Sequence, residues 1–566
     1  MKIVRREIGD DSGLLEIKDA VIRSLLASRG ISKLEDASTE LRFLLHYRDL
    51  PDIDIASKRI AQAVINNEKV LIFGDYDVDG MTGTALGVRA LQALGLDAEQ
   101  VCCKVPSRYD GGYGLSPKEV DEAKALGIQL ILTVDNGISC IEAAARAIEL
   151  NIDLVITDHH ECQENLPKAL AVVDPKRPDS KFGSTALCGA GVLFYVLSAT
   201  RAVLDEQGFY TSRPKPVMAN FLDLVALGTV GDVVAFDPNN RRLVKAGLDR
   251  LHKGATVIGI SSLASLIKTN LALLDPHAIG FELCPRLNAA GRIKLDDNPA
   301  LDLLLTDDPK KADELSSRLE MCNRRRGDFE RVSLKEARED AANTTTAGGL
   351  VLYRSTWLSG ITGLIAGRLK EDYGIPCFAF SGDGDVIKGS ARSVPGVPLG
   401  EILRRMADEH PGILVGGGGH AMAAGANIRL SALDKFREVF RDYCLEYLAS
   451  PKEAELITDG ELNNDYLNLG FARALEDLGP WGEGFPEPLF DGVFEVVSIY
   501  IIKNMHVRFT LKSEDGRILN AIRFRASVQE KALISGIKVR AVYALEINRY
   551  QGTERLQVRL ENVEPV

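Results

Sequence analysis

Short, continuously apolar runs recur through the first third of the chain, each ending at a glycine or an acidic residue. Stretches with helical spacing separate several of them. Residues 55–67 (IASKRIAQAVINN) have the spacing of an amphipathic helix, VLIFGD (70–75) that of a buried strand, and MTGTALGVRALQALG (81–95) that of a second helix. QLILTVDNG (129–137), DLVITDHH (153–160) and ALAVVDP (169–175) repeat the strand pattern, with a helix near 139–149. This alternation predicts β-α-β units around a parallel sheet. Continuous rather than alternating apolarity predicts that helices cover both faces.

After residue 300 the texture changes. Residues 308–342 are highly charged, with Ala312, Leu315, Leu319 and Cys322, then Phe329 and Val332, at helical spacing. That predicts a long, largely exposed helix connecting two domains. GGLVLYRS (348–355) opens a second α/β unit with a helix near 361–373, a strand PCFAFS (376–381) and the glycine run GGGGH (416–420). From about 455 onward VFEVVSIYIIK, HVRFTLK, ILNAIRFR, KVRAVYALEIN and LQVRLENV have the pattern of five strands with short turns. A small β-barrel of the oligonucleotide-binding (OB) kind is expected, with a sandwich as the other arrangement of the same pattern. The expected organisation is multidomain α/β. An N-terminal segment (1–50) packs on a parallel-sheet domain (51–307). A connecting helix (308–345), a smaller α/β domain (346–452) and an OB-like domain (453–566) follow.

Composition narrows the class. The 566 residues are 45% hydrophobic and 26% charged, which excludes a disordered chain, a collagen and a rod. No uninterrupted apolar run of about 18 residues is present, so no membrane span is expected. MKIVRREIGDD lacks the apolar core of a signal peptide. The nine cysteines form no CxxC pair, which points to free thiols in a reducing compartment and to a cytoplasmic location. The net charge of −12 is unevenly placed, because residues 491–566 carry twelve Lys/Arg against nine Asp/Glu. Part of the acidic excess elsewhere is therefore available as metal ligands.

Asp75, Asp135 and Asp158 each stand at the carboxyl end of a predicted parallel strand, where open α/β sheets place their ligand crevice. Asp77 and Asp79 follow in GDYDVDG, with Gly74 and Gly80 relieving crowding in the tight loop. His159 and His160 extend the third strand end, and Asp232 in LVALGTVGDVV adds a further carboxylate. An Asp after a strand can also serve only as a helix N-cap. Six carboxylates in one crevice, however, raise one another's pKa steeply unless cations neutralise them. Carboxylates with one or two imidazoles suit Mn²⁺ or Mg²⁺. Two such ions about 3.5–4 Å apart form the usual clamp for phosphodiester hydrolysis.

GDYDVDG, TVDNG, TDHH and LVALGTVGDVV resemble the four motifs of the DHH phosphoesterase superfamily. Within it, PSRYDGGYGLS (106–116), PRLNAAGR (285–292) and WGEGFPEPLF (481–490) resemble the RecJ family of bacterial single-strand-specific 5′→3′ exonucleases, over nearly the whole chain. The resemblance implies one metal on Asp77 and Asp135 with Asp75 nearby. It implies a second on Asp79, Asp135, His159 and Asp232, with Asp135 bridging. It also implies that His160 touches the scissile phosphate and that Asp158 orients the histidines. The second α/β unit resembles a DHHA1-type domain facing the metal domain across a cleft. Arg108, Ser390 and Arg392 would there recognise the DNA 5′ end.

Further phosphate contacts are expected from Arg368, from His420, and from the GGGGH amides, which could form an anion nest. PRLNAAGR offers Arg286 and Asn288 to substrate, or else its arginines make structural salt bridges. Arg324, Arg325 and Arg326 are expected on a solvated helix face. Arg523 and Arg525 are expected on one face of the barrel, with Phe524 turned inward. One departure stands out: the residue after Trp357, usually His in the family, is Leu358.

The expected activity is degradation of single-stranded DNA to 5′-mononucleotides by a two-metal (Mn²⁺ or Mg²⁺) exonuclease in recombinational and mismatch repair. The expected partners are a single-strand-binding protein and a repair helicase, and the expected state is a monomer. An oligoribonuclease or small-molecule phosphoesterase, and a non-catalytic replication scaffold, are the rival readings.

Overall fold

A computed structural model describes residues 2–107, 109, 114–344, 347–448, 455–550 and 552–566. Strand β1 (Lys2–Arg5) pairs in parallel with a strand from the far end of the chain, described below. The next five strands, β2 (Val70–Gly74), β3 (Val101–Lys104), β4 (Leu130–Val134), β5 (Asp153–Thr157) and β6 (Ala171–Val173), form one parallel sheet in the order β3-β2-β4-β5-β6. Every residue of β2 and β4 is buried, as two helix-covered faces require. Helices Ile53–Asn66, Val78–Leu94 and Gly189–Glu206 line one face, and Pro117–Ala125 and Ile141–Glu149 the other. The strand order reverses beside β2 and β4, so the switch point lies where Asp75 and Asp135 leave the sheet.

Helix Pro309–Ala342 is 34 residues long, about 50 Å at 1.5 Å per residue. Ala312, Leu315 and Leu319 bury into the first domain, and Ala337 and Ala341 into the second. Between these anchors Cys322 and Ser333 are still buried, and the turns between those two meet solvent. Phe329 and Val332, which share the apolar spacing, are therefore 41% and 56% exposed. The second domain holds β7 (Leu350–Tyr353), β8 (Cys377–Ser381), β9 (Val386–Arg392), β10 (Gly416–Gly419) and β11 (Ala423–Arg429), in the order β10-β11-β9-β8-β7. Only β7 and β8 pair in parallel.

β12 (Glu455–Thr458) is the partner of β1. The last five strands, β13 (Phe490–Ile502), β14 (His506–Lys512), β15 (Ile518–Arg523), β16 (Lys538–Tyr550) and β17 (Thr553–Pro565), close a barrel in the order β13-β14-β15-β17-β16. The barrel is fastened to the rest of the chain by charge and stacking. Arg29 and Asp459 form a buried bidentate pair at 2.8 Å. Arg29 lies over Trp481, which stacks on Phe485, and Arg241 covers Phe485 at 4.0 Å. WGEGFPEPLF is thus a clamp between the barrel and the helical core, to which Phe485 itself belongs. Phe524 is not core: β15 ends at Arg523, the chain turns, and the ring is 45% exposed against His506. The same turn separates the two neighbouring arginines. Arg523 donates to Glu530, and Arg525 adopts a left-handed backbone (φ 48°).

Among the described residues no helix is long and apolar enough to cross a membrane. The nine cysteines are free thiols.

Candidate metal centre

The loop after β2 is shaped by its own acids. Asp77 caps helix Val78–Leu94 by accepting from the amides of Asp79 (3.0 Å) and Gly80 (3.2 Å). It therefore plays the N-cap part as well as lining the crevice. A Cβ on Gly80 would lie 2.4 Å from the Asp75 amide nitrogen, so the return of the chain over the strand end requires glycine there. Asp79 is fully buried, and the first amides of helix Gly189–Glu206 donate to both of its oxygens, Gly189 at 2.5 Å and Ala190 at 3.0 Å.

Asp135 leaves β4 in the left-handed region (φ 62°), a conformation that an L-residue adopts only where its surroundings impose it. Asn136, next in the chain, donates to the carbonyls of Phe73 (3.1 Å) and Val134 (2.9 Å). It thereby pins together the two strand ends that carry Asp75 and Asp135.

Asp158 organises the third strand end. It accepts from the amides of Ile138 (2.9 Å), His159 (2.7 Å) and His160 (3.2 Å), and holds the His160 ring at Nδ1 (2.7 Å). His159 is turned the other way. Its Nε2 lies 3.0 Å from Asp135, 3.5 Å from Asp232 and 3.9 Å from Asp79. Asp232 reaches the crevice as the C-cap of helix Leu222–Gly231.

Three sets of donor atoms, each mutually within 4.8 Å, result: Asp75, Asp77 and Asp135; Asp79, His159 and Asp232; Asp135, His159 and His160. Asp135 and His159 each belong to two sets. Electrostatics point the same way. Burial and then Asp77 push Asp79 up to about 6, and burial and then Asp79 push Asp232 up to about 8. Asp135 is raised well above the ordinary range by burial and by four neighbouring aspartates. Carboxylates this close ionise together only around positive charge, and hard divalent cations match such an oxygen-rich donor set. Burial, and then its neighbour His160, lower His159 to about 3, leaving a neutral imidazole fit to be a ligand. Burial pulls His160 down, but the hydrogen bond and charge of Asp158 outweigh it and raise it to about 9. His159 is therefore a neutral donor, and His160 is held in place by Asp158.

The second domain contributes a row of polar groups. Ser390 and Arg392 alternate on one face of β9, beside the first turn of helix Thr362–Tyr373. There Ser390 meets the Thr362 hydroxyl at 3.1 Å, and Arg392 lies along Gly363. Across the sheet, Ala423 pairs with Arg392, and its carbonyl accepts from the His420 amide, so His420 ends the same row. The run 416–419 is the edge strand β10, paired antiparallel with β11. In extended backbone successive amides point to opposite sides, so the expected nest of consecutive amides does not form.

Segment 285–292 joins the two halves. Asn288 accepts from the Val78 amide (3.2 Å) in the metal loop, and Arg292 donates to the Gly360 carbonyl (3.1 Å) two residues before Thr362. Arg286 is engaged with Glu320 (2.7 Å) on the long helix, and Arg368 with Glu371 (3.0 Å) and Glu330 (3.7 Å). Both thus make ion pairs, and the Arg368 side chain stays 51% exposed. Arg324 and Arg326 likewise pair along their own helix. Arg108 lies outside the described residues. Leu358 packs between Ala289, Ile293 and Cys322 on one side and the Trp357 cluster on the other, an apolar contact between the domains. Cys188 and Gly189 carry no motif signal of this kind in the sequence; only the folded contacts single them out.

Comparison with known proteins agrees with this geometry. Residues 69–229 match the DHH family N-terminal domain, 347–446 the DHHA1 domain and 458–562 the RecJ OB domain. The chain is 39% identical over 573 residues to "Single-stranded-DNA-specific exonuclease RecJ" of Dickeya dadantii, covering 100% of this chain and 99% of that relative. It is 35% identical over 576 residues to the protein of that name from Escherichia coli, with 100% and 99% covered. Among solved structures, RecJ of Thermus thermophilus in complex with Mn²⁺ superposes with a TM-score of 0.82 at 27% identity, covering 100% of this chain and 79% of that one. The same protein in complex with Mg²⁺ superposes at 0.76.

Proposed function

The chain belongs to the RecJ family of single-stranded-DNA-specific exonucleases, and from that premise we propose that it hydrolyses single-stranded DNA from the 5′ end to 5′-mononucleotides. The observation that carries this reading is the place of Asp135, which joins Asp75 and Asp77 in one donor set and His159 in the next, as a carboxylate between two adjacent cations does.

Asp77 and Asp135, with Asp75 beside them, would hold one Mn²⁺ or Mg²⁺. Asp79, Asp135, His159 and Asp232 would hold the other. Bound there, such ions supply an activated water and neutralise charge on the phosphate oxygens. The protein's own groups do the rest. Asp158 fixes the His160 ring through Nδ1, and His160 is assigned to the scissile phosphate. Helix Gly189–Glu206 keeps the Asp79 oxygens in place. Ser390, Arg392 and His420, in one row of the second sheet, are assigned to the 5′-terminal phosphate, and the barrel to the trailing strand. A cytoplasmic monomer acting with a single-strand-binding protein and a repair helicase, in recombinational and mismatch repair, completes the proposal.

A time course on end-labelled single strands, duplexes and dinucleotides, in Mn²⁺ and in EDTA, tests it. The expected result is Mn²⁺-dependent release of mononucleotides from the 5′ end of single strands only. Asp135→Asn, which tolerates the left-handed backbone, is expected to fold and to be inert. Preference for dinucleotides, or release from the 3′ end, would refute the substrate or the polarity.

A further inference from the structure

Cys188 lies in STALCGAG, outside every motif that marks the metal centre, yet its side chain is wholly buried beside it. Two contacts meet at its sulfur. As N-cap of helix Gly189–Glu206, Sγ accepts from the Gly191 amide at 3.3 Å. On a second side it lies 3.5 Å from the hydroxyl of Thr229, in the helix that ends at Asp232. That hydroxyl is already donating to the Val225 carbonyl (2.7 Å).

The residues that follow complete the arrangement. The Gly189 and Ala190 amides hold the two oxygens of Asp79, and Gly189 packs directly on Asp135. Displacing the Cys188 side chain therefore moves the cap of the helix whose end orients one acidic residue and bears on another. We propose that Cys188 is a positioning residue of the metal centre, its sulfur fixing the helix cap at Gly189–Gly191, whose first amides hold the Asp79 carboxylate, against Thr229 of the helix that ends at Asp232. A buried thiol suits the place because it accepts weakly from an amide, and its low polarity makes burial cheap. Outer partners of metal ligands typically change metal affinity by about 10–100-fold when removed.

This inference rests on the metal-binding reading above. The test is calorimetric titration of the full chain with MnCl₂, alongside thermal melting of the metal-free protein, for the parent, Cys188→Ala and Cys188→Ser. Serine keeps a cap acceptor. The expected result is Mn²⁺ affinity at least about tenfold weaker in Cys188→Ala. Cys188→Ser should recover most of that loss, with both variants melting cooperatively. Should the alanine protein not fold, Cys188→Val, which fills the space without a cap acceptor, takes its place with the same expectation. Unchanged Mn²⁺ affinity in the acceptor-free variant would overturn the role of Cys188 alone, as would a serine variant no better than alanine. Absence of Mn²⁺ uptake by the parent would overturn the metal centre and this inference together.

Discussion

Gly189 presses so closely on Asp135 that a Cβ placed on it would lie 2.4 Å from the aspartate's own Cβ and 2.7 Å from its Cα. Backbone cannot yield at that contact without moving either the strand end or the helix cap. Gly189→Ala is therefore expected to cost about 1–3 kcal/mol of stability, the usual range for overpacking a tight site. It should also weaken Mn²⁺ binding although no charge changes. Melting and calorimetry on the same preparation check both effects. Parent-like values in the two measurements would show that the contact relaxes freely.

Proton and metal occupancy are linked at the crevice. In the folded, metal-free chain Asp79 titrates at about 6 and Asp232 at about 8, against an ordinary 3.8. Folded values above unfolded ones mean that the folded chain binds the extra protons. This contribution to stability is complete below about pH 4 and is lost as pH rises through 6 and then 8. Metal takes the deprotonated ligands, so its stabilisation grows over the same interval. The difference in Tm between Mn²⁺-loaded and EDTA-treated protein is expected to widen from about pH 5.5 to about pH 8.5, and Mn²⁺ uptake to release protons. A difference independent of pH would contradict the crowding of carboxylates.

Arg29 and Asp459, 430 residues apart in the chain, bury their charges on each other with side chains 0% and 3% exposed. Asp459→Ala leaves the guanidinium in the interior without its counter-charge, a loss of about 3–5 kcal/mol. Chemical denaturation read by far-UV circular dichroism should show the midpoint fall accordingly. A change under about 1 kcal/mol, the range of surface pairs, would mean that water reaches the pair.

On the outer side of the barrel Tyr500 stands opposite Arg508, and Phe524 packs edge-on to His506. Tyr500 is 66% exposed. Exposed rings beside arginine form a stacking platform, with about 1–3 kcal/mol per stacked base. Tyr500→Ala with Phe524→Ala should weaken binding of long single strands while leaving turnover of very short oligomers near the parent rate. Fluorescence anisotropy on two strand lengths separates these quantities. Equal losses on both would mean that the rings support the fold of the barrel instead.

Much of the site is legible in the chain because local rules reach it. Continuous apolar runs mark parallel strands, and the chain leaves each strand at a known place, so Asp75, Asp135 and Asp158 could be assigned to one crevice before any contact was known. DxDxD after β2 is both a helix cap and a ligand set, and both parts follow from its position. Period-two patterning likewise locates the five strands of the barrel, although not their closure.

Other features depended on residues far away in the chain. Arg286 meets Glu320 on the long helix, a pairing that its own motif does not announce. GGGGH has the composition of an anion nest, but pairing with β11 stretches it into an edge strand. Phe524 alternates like a core residue, but the strand stops one position earlier. Gly189 has no local signature, because what it does is touch acids distant in the chain, Asp79 lying 110 positions before it. Periodicity and turn chemistry are short-range properties of a chain and so determined its elements and the strand ends that carry acid. Which carboxylate faces which, and which glutamate an arginine meets, is settled by packing between distant segments, and the tertiary structure alone decided it.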